Sequence, residues 1–463
     1  MTMDALRHVA VIDIGKTNAK VAVVEIERLN EIATRTRPNT VLGDGPYPHY
    51  DTDGLWAFIL DALGELNREQ PIDAITVTTH GAACALLDAQ GHLALPVLDY
   101  EYGGPDALAA DYNAARPAFA ETGSPHLPQG LNLGAQIFWL ERRFPDTFRA
   151  VANILMYPQY WSFRLTGIAA NEVTSLGAHS DLWNPARRDY STLIDRMGWR
   201  PLFAPLRGAS DCLGAILPEI AARTGLSPAT RVHCGIHDSN ASLLPHLIAR
   251  RPPFAVVSTG TWVIAMSVGG RPVQLAPERD TLINVNAYGD PVPSARFMGG
   301  REHAILTEGL AEGSAAEDVT SVFARQIMLL PSVLETGHGP FAHRKARWIG
   351  DGAIRSGERR AAIAFYLAMM TAACLELIGA AGPIIADGPF ARNDLYVRML
   401  AAATGRAVIP AKADAAGPSA GAALLISGAA SPPPHDGEAI HSPGEAWTDY
   451  ARNWRAELHR AGR

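Results

Sequence analysis

Cysteine is scarce in this chain of 463 residues, with Cys84, Cys212, Cys234 and Cys374 as the whole complement. They lie far apart and form no C-x-x-C pair, which excludes a disulfide framework or a thiolate zinc site and suits a reducing compartment. Charge is modest too: charged residues make up 19% and the net charge is -7, so no broad basic field exists. Bulk electrostatics therefore argues against nucleic acid or a membrane surface as partner, and a small anion would need a local pocket of amides or cations. Long apolar runs are few. The stretch Ala364 to Ala386 is the most apolar, but Glu376 and a Gly/Pro break interrupt it, and it reads as a buried helix followed by a strand. The polar Met1–His8 stretch gives no secretory leader. Short-period repeats are lacking, which excludes solenoids and propellers. The expectation is a cytoplasmic protein, monomer or homodimer, whose partner is a small molecule.

An apolar share of 48% supports a large core, and the length fits two domains. Val9–Ile14 and Lys20–Ile26 are β-prone runs around a polar turn, which reads as a hairpin. A helix over Leu55–Glu69 and a strand over Ala74–Thr78 follow, and residues 105–170 read as mostly helical. A second hairpin is expected at Phe254–Val268, then a helix over Arg359–Ala380, a strand at Pro383–Ala386 and a helix from Asn393. Each half thus opens with a hairpin. Arg250-Arg251-Pro252-Pro253 reads as the join, giving domains at 1–248 and 249–430 and a surface extension at 431–463.

Four short motifs carry chemistry. Asp13-Ile14-Gly15-Lys16-Thr17-Asn18 places Gly, Thr and Asn in a turn whose amides can hold phosphate, with an Asp placed to reach Mg²⁺ through water. The alternative is a solvated hairpin turn. Ala10–Thr17 also fits a relaxed P-loop pattern, yet its variable residues Val11, Ile12, Asp13 and Ile14 belong inside a strand and cannot wrap a phosphate. Ser258-Thr259-Gly260-Thr261 repeats the first turn's chemistry in the second half. Asp238, after the strand Arg231–Cys234, stands where a helix begins; it is either an N-cap or a general base. Both can hold, because a helix N-terminus favours negative charge. Ala386-Asp387-Gly388 through Asn393 makes a strand, turn and helix start able to border a flat ring, and Asp414–Gly417 adds a further turn. His233 and His237 are spaced i, i+4, but the first ends a strand, which argues against zinc.

In this order the motifs resemble the FGGY carbohydrate kinases. Trp161-Ser-Phe-Arg-Leu-Thr-Gly167 before Asn171-Glu-Val-Thr174 is similar to a family segment, as are His80-Gly81, Leu86-Leu87-Asp88 and Pro96-Val-Leu-Asp99. The resemblance extends to about residue 427. It implies an α/β, two-domain actin/hexokinase (ribonuclease H-like) fold, each domain a mixed sheet flanked by helices, with the active site in the interdomain cleft. It also implies ATP and Mg²⁺ as cofactors: Asp13 for the metal, and Gly15, Lys16, Thr17 and Asn18 near the transferring phosphate. Thr259, Gly260 and Thr261 would contact the ATP phosphates, and Gly388 and Asn393 would border adenine. Asp238 would be the catalytic base. His80, Gly81, Asp99, Tyr100, Glu101 and Asp238 would bind the sugar.

The sequence departs from the family in three places, one of them Asp99-Tyr100-Glu101-Tyr102, which matches no single sugar subgroup cleanly. The adenine element usually carries two or three glycines, and Ala386-Asp387-Gly388 leaves nucleotide preference open. Lys16 replaces a small hydroxyl residue and suits either a phosphate clamp or a negatively charged substrate. The implied reaction is phosphorylation of a sugar hydroxyl, on a ketose, deoxyketose or polyol. The alternatives are another ATPase of the same superfold, namely an acyl-phosphate kinase or phosphohydrolase, and a non-catalytic sugar or nucleotide sensor.

Overall fold

The computed structural model describes residues 6–334, 339–350, 352–411, 417–427 and 437–460. These form two compact units. The first takes described residues up to Ala249, then Ile283–Pro291, then the helix Pro418–Ser427; the second takes Arg250–Leu282, the described part of Val292–Ala415, and the chain from 437 onward. Two assignments expected from sequence differ in this packing. The helix Pro418–Ser427 packs with the first unit, and the supposed surface extension contributes to the second. The reason lies in the spacing of Tyr450, Ala451, Trp454 and Leu458, which puts one apolar stripe on the helix Glu445–Arg460 and buries it. Asp414–Ala416 of the expected late turn, and the Pro432–Pro434 run, lie outside the described residues.

The first unit is built on a mixed seven-stranded sheet. His8–Ile14 and Asn18–Glu25 pair antiparallel, from His8 opposite Glu25 to Ile14 opposite Ala19, and His8–Ile14 runs parallel to Ala74–Thr79. Gly15 N–H donates to the Asn18 carbonyl at 2.9 Å and closes the turn. Ala10 to Ile14 therefore lie in strand, as rejection of the P-loop requires. A third strand, Asn30–Pro38, continues the sheet; its alternation of exposed and half-buried polar residues gives no apolar signal, and the sequence reading omits it. The helix Thr52–Glu69 starts three residues earlier than expected because Asp51 caps it, accepting from Gly54 N–H at 2.8 Å.

Both faces of the first strand are covered, which explains its unbroken apolar run. Ala10, Ile12 and Ile14 pack with Leu55, Ile59, Leu63 and Leu66 of the Thr52–Glu69 helix. Val9 and Val11 pack instead with Ala241 and Leu244 of the helix Asp238–Ala249 and with Ala420 to Leu425. Side chains alternate along a strand, so Asp13 falls on the face of Val9 and Val11, toward the helix that Asp238 opens.

The second unit repeats the theme. Phe254–Thr259 pairs antiparallel with Val263–Val268 and parallel with Ile384–Asp387, which in turn runs parallel to Val408–Pro410. Pro291–Phe297 extends the sheet beyond Val263–Val268. Ser356–Leu377 is long and apolar enough to cross a membrane, but 78% of its most apolar window is buried inside the fold. It is the central core helix of this unit, touching Val322, Tyr396, Leu400 and Tyr450 through one apolar cluster.

Candidate functional site

In the first unit one face gathers most of the residues singled out from sequence. Asp238 is the first residue of its helix; its Oδ1 accepts from Ser239 N–H at 2.5 Å and lies 3.2 Å from His237 Nε2. Asp13 stands within electrostatic range of Asp238. Burial raises the Asp13 carboxyl to about 6, Lys20 opposes the shift, and the negative charge of Asp238 adds to it. Lys20 Nζ sits 3.9 Å from Asp13 Oδ2 but is engaged more closely by Glu31 at 2.5 Å.

His80 is buried among aromatic rings, 5.1 Å from Tyr50, 5.3 Å from Tyr157 and 5.5 Å from Tyr100 between centroids. Burial lowers its pKa to about 4, so the ring is neutral; Nδ1 donates to the Gly81 carbonyl at 2.7 Å, and Nε2 is buried without a hydrogen-bond partner. The tautomer follows from that bond, since a carbonyl can only accept. At Gly81 a Cβ would lie 2.9 Å from His237 Nε2, so a larger residue would press on that ring. Asp99 is buried, with Oδ1 accepting from Tyr50 Oη at 3.3 Å and from Glu101 N–H at 3.2 Å. Burial raises the Tyr100 hydroxyl, and the charges of Glu101, Asp99 and Asp238 push the same way.

Lys16 is placed differently from the expectation of a phosphate-side residue. Its ammonium pairs with Asp99 Oδ1, lies 3.3 Å from Glu101 Oε2, and sits over the rings of Tyr100 and Tyr50 at 4.8 and 5.2 Å. Its long stem reaches across from the turn to the opposite carboxylates, which residue spacing could not reveal. Thr17 and Asn18 stay exposed at the turn, beside Gly15.

Behind Asp238 lies a support that the sequence reading named only as part of a family segment. Glu172 Oε2 accepts from Thr174 N–H at 2.9 Å and from the Thr174 hydroxyl, which itself accepts from His237 N–H at 3.1 Å. A short hydrogen-bonded path thus runs from Glu172 through Thr174 to the amide of His237, the residue before Asp238. Burial raises the Glu172 pKa to about 8, against the lowering effect of Thr174. Asn240 Nδ2 approaches His237 Nδ1 at 3.3 Å and completes the setting. Tyr50, Tyr157 and His237 went unpredicted as site residues, because isolated aromatics and histidines carry no motif.

The second unit presents the other half of the motif set. Thr259 ends its strand, and its hydroxyl donates to the Asp387 carbonyl at 2.6 Å and accepts from Phe390 N–H at 3.0 Å. That side chain ties the hairpin to the turn after Ile384–Asp387 rather than standing free for phosphate. Gly260 and Thr261 form the exposed tip, with Thr261 carbonyl accepting from Gly300 N–H at 3.2 Å. Gly388 has φ of +86°, and a Cβ there would lie 1.9 Å from the Thr259 carbonyl oxygen. Only glycine permits that approach. Asn393 caps the helix Asp394–Thr404, accepting from Leu395 and Tyr396 N–H at 3.1 and 3.3 Å. It also lines a cavity of about 330 Å³ with His303, Thr307, Arg360, Arg392 and Leu395.

The chain matches the family model described as FGGY family of carbohydrate kinases, N-terminal domain, over residues 8–245. It matches the model described as carbohydrate kinase FGGY, C-terminal domain, over residues 251–434. The crystal structure of a carbohydrate kinase from Novosphingobium aromaticivorans is 39% identical, with a TM-score of 0.89 over 97% of this chain and 100% of that one. Xylulose kinase from Rhodospirillum rubrum, at 22% identity and a TM-score of 0.81 over 98% of each chain, shares the fold. Among curated relatives, L-fuculokinase of Escherichia coli (strain K12) is 27% identical over 274 residues, 56% of each chain. Rhamnulokinase of Halalkalibacterium halodurans is 24% identical over 261 residues, 54% of this chain and 52% of that one. The matches thus span about half the length of these curated relatives. With two hairpin-led units, a carboxylate opening a helix in the first, and family models matched across both, this chain belongs to the FGGY family of carbohydrate kinases.

Proposed function

We propose that this chain transfers the γ-phosphoryl group of ATP to a hydroxyl of a small sugar, a ketose, deoxyketose or polyol, with Asp238 as general base. The observation that carries this reading is the placement of Asp238 at a helix start, on the same face as Asp13, His80, Asp99 and Tyr100. In the reaction the acceptor O–H bond breaks and its proton passes to the Asp238 carboxylate. The freed oxygen forms a bond to the γ-phosphorus as the bond from that phosphorus to the ADP oxygen breaks, in line. His80, neutral and wedged among aromatic rings, and the paired Asp99 fix the sugar's orientation.

The second unit supplies the nucleotide side. Its strand–Gly388–helix element and the cavity lined by His303, Arg360 and Asn393 suit a flat polar ring, and the exposed Thr261 at the hairpin tip suits phosphate, the Gly260 amide being bonded to the Trp262 carbonyl. For Mg²⁺ the test is the donor set. Among the described residues no group of three His, Cys, Asp or Glu side chains is placed to hold a metal. That still fits Mg²⁺, which keeps its waters and takes one or two carboxylates plus substrate phosphates. Asp13, half-buried and within electrostatic range of a second carboxylate, is the residue that would hold it, and the ion would supply charge neutralisation at the phosphates. The relatives named as fuculokinase, rhamnulokinase and xylulose kinase favour a ketose as acceptor.

The test is a coupled ADP-release assay over ketoses, aldoses and polyols with wild type and Asp238→Asn. Stimulation by one sugar, reduced about 10²–10⁴-fold in kcat in the variant with ATP binding intact, is the expected result. Equal sugar-independent turnover in both proteins would replace this reading with a nucleotide hydrolase.

A further inference from the structure

Three hydrogen-bond donors converge on one oxygen of Asp99: the Lys16 ammonium, the Tyr50 hydroxyl at 3.3 Å and the Glu101 amide at 3.2 Å. Oδ1 is thereby saturated, so a ligand hydroxyl that binds Asp99 would have to donate to Oδ2. The ammonium itself is shared between Asp99 and Glu101 Oε2, the latter at 3.3 Å, and is held against the faces of Tyr100 and Tyr50 at 4.8 and 5.2 Å. A lysine ammonium has three N–H donors. One is given to Asp99 Oδ1, the Glu101 carboxylate is held as an ion pair, and donor capacity remains for a ligand.

A lysine neutralised in this way makes a poor phosphate clamp. Two carboxylates already outweigh its charge, and Asp13 and Asp238 add further negative charge on the same face. An incoming anion would gain little from Lys16 and would be repelled by its partners. An uncharged polyhydroxy compound has the opposite balance. One hydroxyl oxygen accepts from a Lys16 N–H, a neighbouring hydroxyl donates to Asp99 Oδ2, and the rings of Tyr100, Tyr50 and His80 offer apolar faces to its C–H groups.

From this geometry we infer that Lys16 is an acceptor-binding residue, part of an ion-paired cluster with Asp99 and Glu101 that suits an uncharged sugar or polyol rather than a sugar acid, and is not a ligand of the ATP phosphates. This rests on the kinase reading above for its kinetic test, and a binding test separates the two. Lys16→Met keeps the aliphatic stem and removes the donors; Lys16→Arg keeps the charge but not the compact geometry, and serves if the methionine variant does not fold. In steady-state assays with ATP and acceptor varied in turn, either variant is expected to raise the acceptor KM tenfold or more and to leave the ATP KM within about twofold. A raised ATP KM with an unchanged acceptor KM would overturn the inference in favour of a phosphate clamp. So would an aldonate outperforming every neutral sugar in the wild type.

The binding test uses the same neutral sugars without nucleotide, read as the rise in Tm of the full chain. A rise in wild type that Lys16→Met loses supports the inference, even where no sugar stimulates ADP release and the kinase reading fails. An equal rise in both proteins, or no rise and no turnover with any sugar, overturns it.

Discussion

Asp13 and Asp238 show how one residue type serves two ends according to its surroundings. Asp238 opens a helix and takes its hydrogen bonds from Ser239, whereas Asp13 lies in a strand under a buried sheet face. Burial first, and Asp238 second, raise the Asp13 pKa from 3.8 to about 6. If Asp13 holds Mg²⁺ as proposed, the ionised form that would attract it is lost as pH falls through about 6, well above the ordinary aspartate range. The Mg²⁺ concentration for half-maximal activity is expected to rise as pH drops through that value. Asp13→Asn should show a weak Mg²⁺ dependence with little pH variation over the same range. Mg²⁺ titrations on both proteins check this. These two aspartates were legible in the sequence because each ends a strand or opens a helix beside a glycine turn. Lys16 was legible as a residue but not as a contact, since its partners Asp99 and Glu101 lie far along the chain.

At the scale of elements, the segment bearing Asp238 is held from behind by Glu172 through Thr174. Glu172 is fully buried, and its Oε1 has no hydrogen-bond partner. Burial raises its pKa from 4.5 to about 8. The folded protein thus keeps a proton that the unfolded chain releases near 4.5, so the stabilising contribution is complete below 4.5 and is lost as pH rises toward 8. Each pH unit in that window is worth up to ~1.4 kcal/mol. Glu172→Gln, neutral at every pH, is expected to abolish this slope, measured by urea denaturation across the window. The sequence held the Asn171-Glu-Val-Thr174 string in plain sight, but not its closure onto the His237 amide. Hairpins, by contrast, were readable, because β-branched runs flank polar turns in both halves. The Asn30–Pro38 strand was not, as an alternation of polar residues at half-burial resembles a loop.

Across the whole molecule, the chain leaves each unit and returns to it. The helix Pro418–Ser427 belongs to the first unit, where Gly421 lets it approach Ala241; a Cβ would lie 1.8 Å from the Ala241 carbonyl oxygen. The helix Glu445–Arg460 closes the core of the second unit. Trp454 is 1% exposed, and its indole N–H donates to the Leu329 carbonyl at 2.7 Å. Trp454→Ala is expected to destabilise the protein by about 3–5 kcal/mol, from lost burial and an unsatisfied carbonyl, seen as a lower unfolding midpoint in denaturant. A mere surface extension would tolerate the change within about 0.5 kcal/mol.

The sequence by itself determined the α/β class, the two hairpins, the helix carrying Asp238 and the family, because strand period, turn chemistry and motif order are local properties. Tertiary structure alone decided which carboxylates Lys16 meets, that the Thr259 hydroxyl is used within the fold, and to which unit each late helix belongs. Those outcomes depend on side chains brought together across long stretches of chain. The distance between them in sequence carries no record of the distance between them in space.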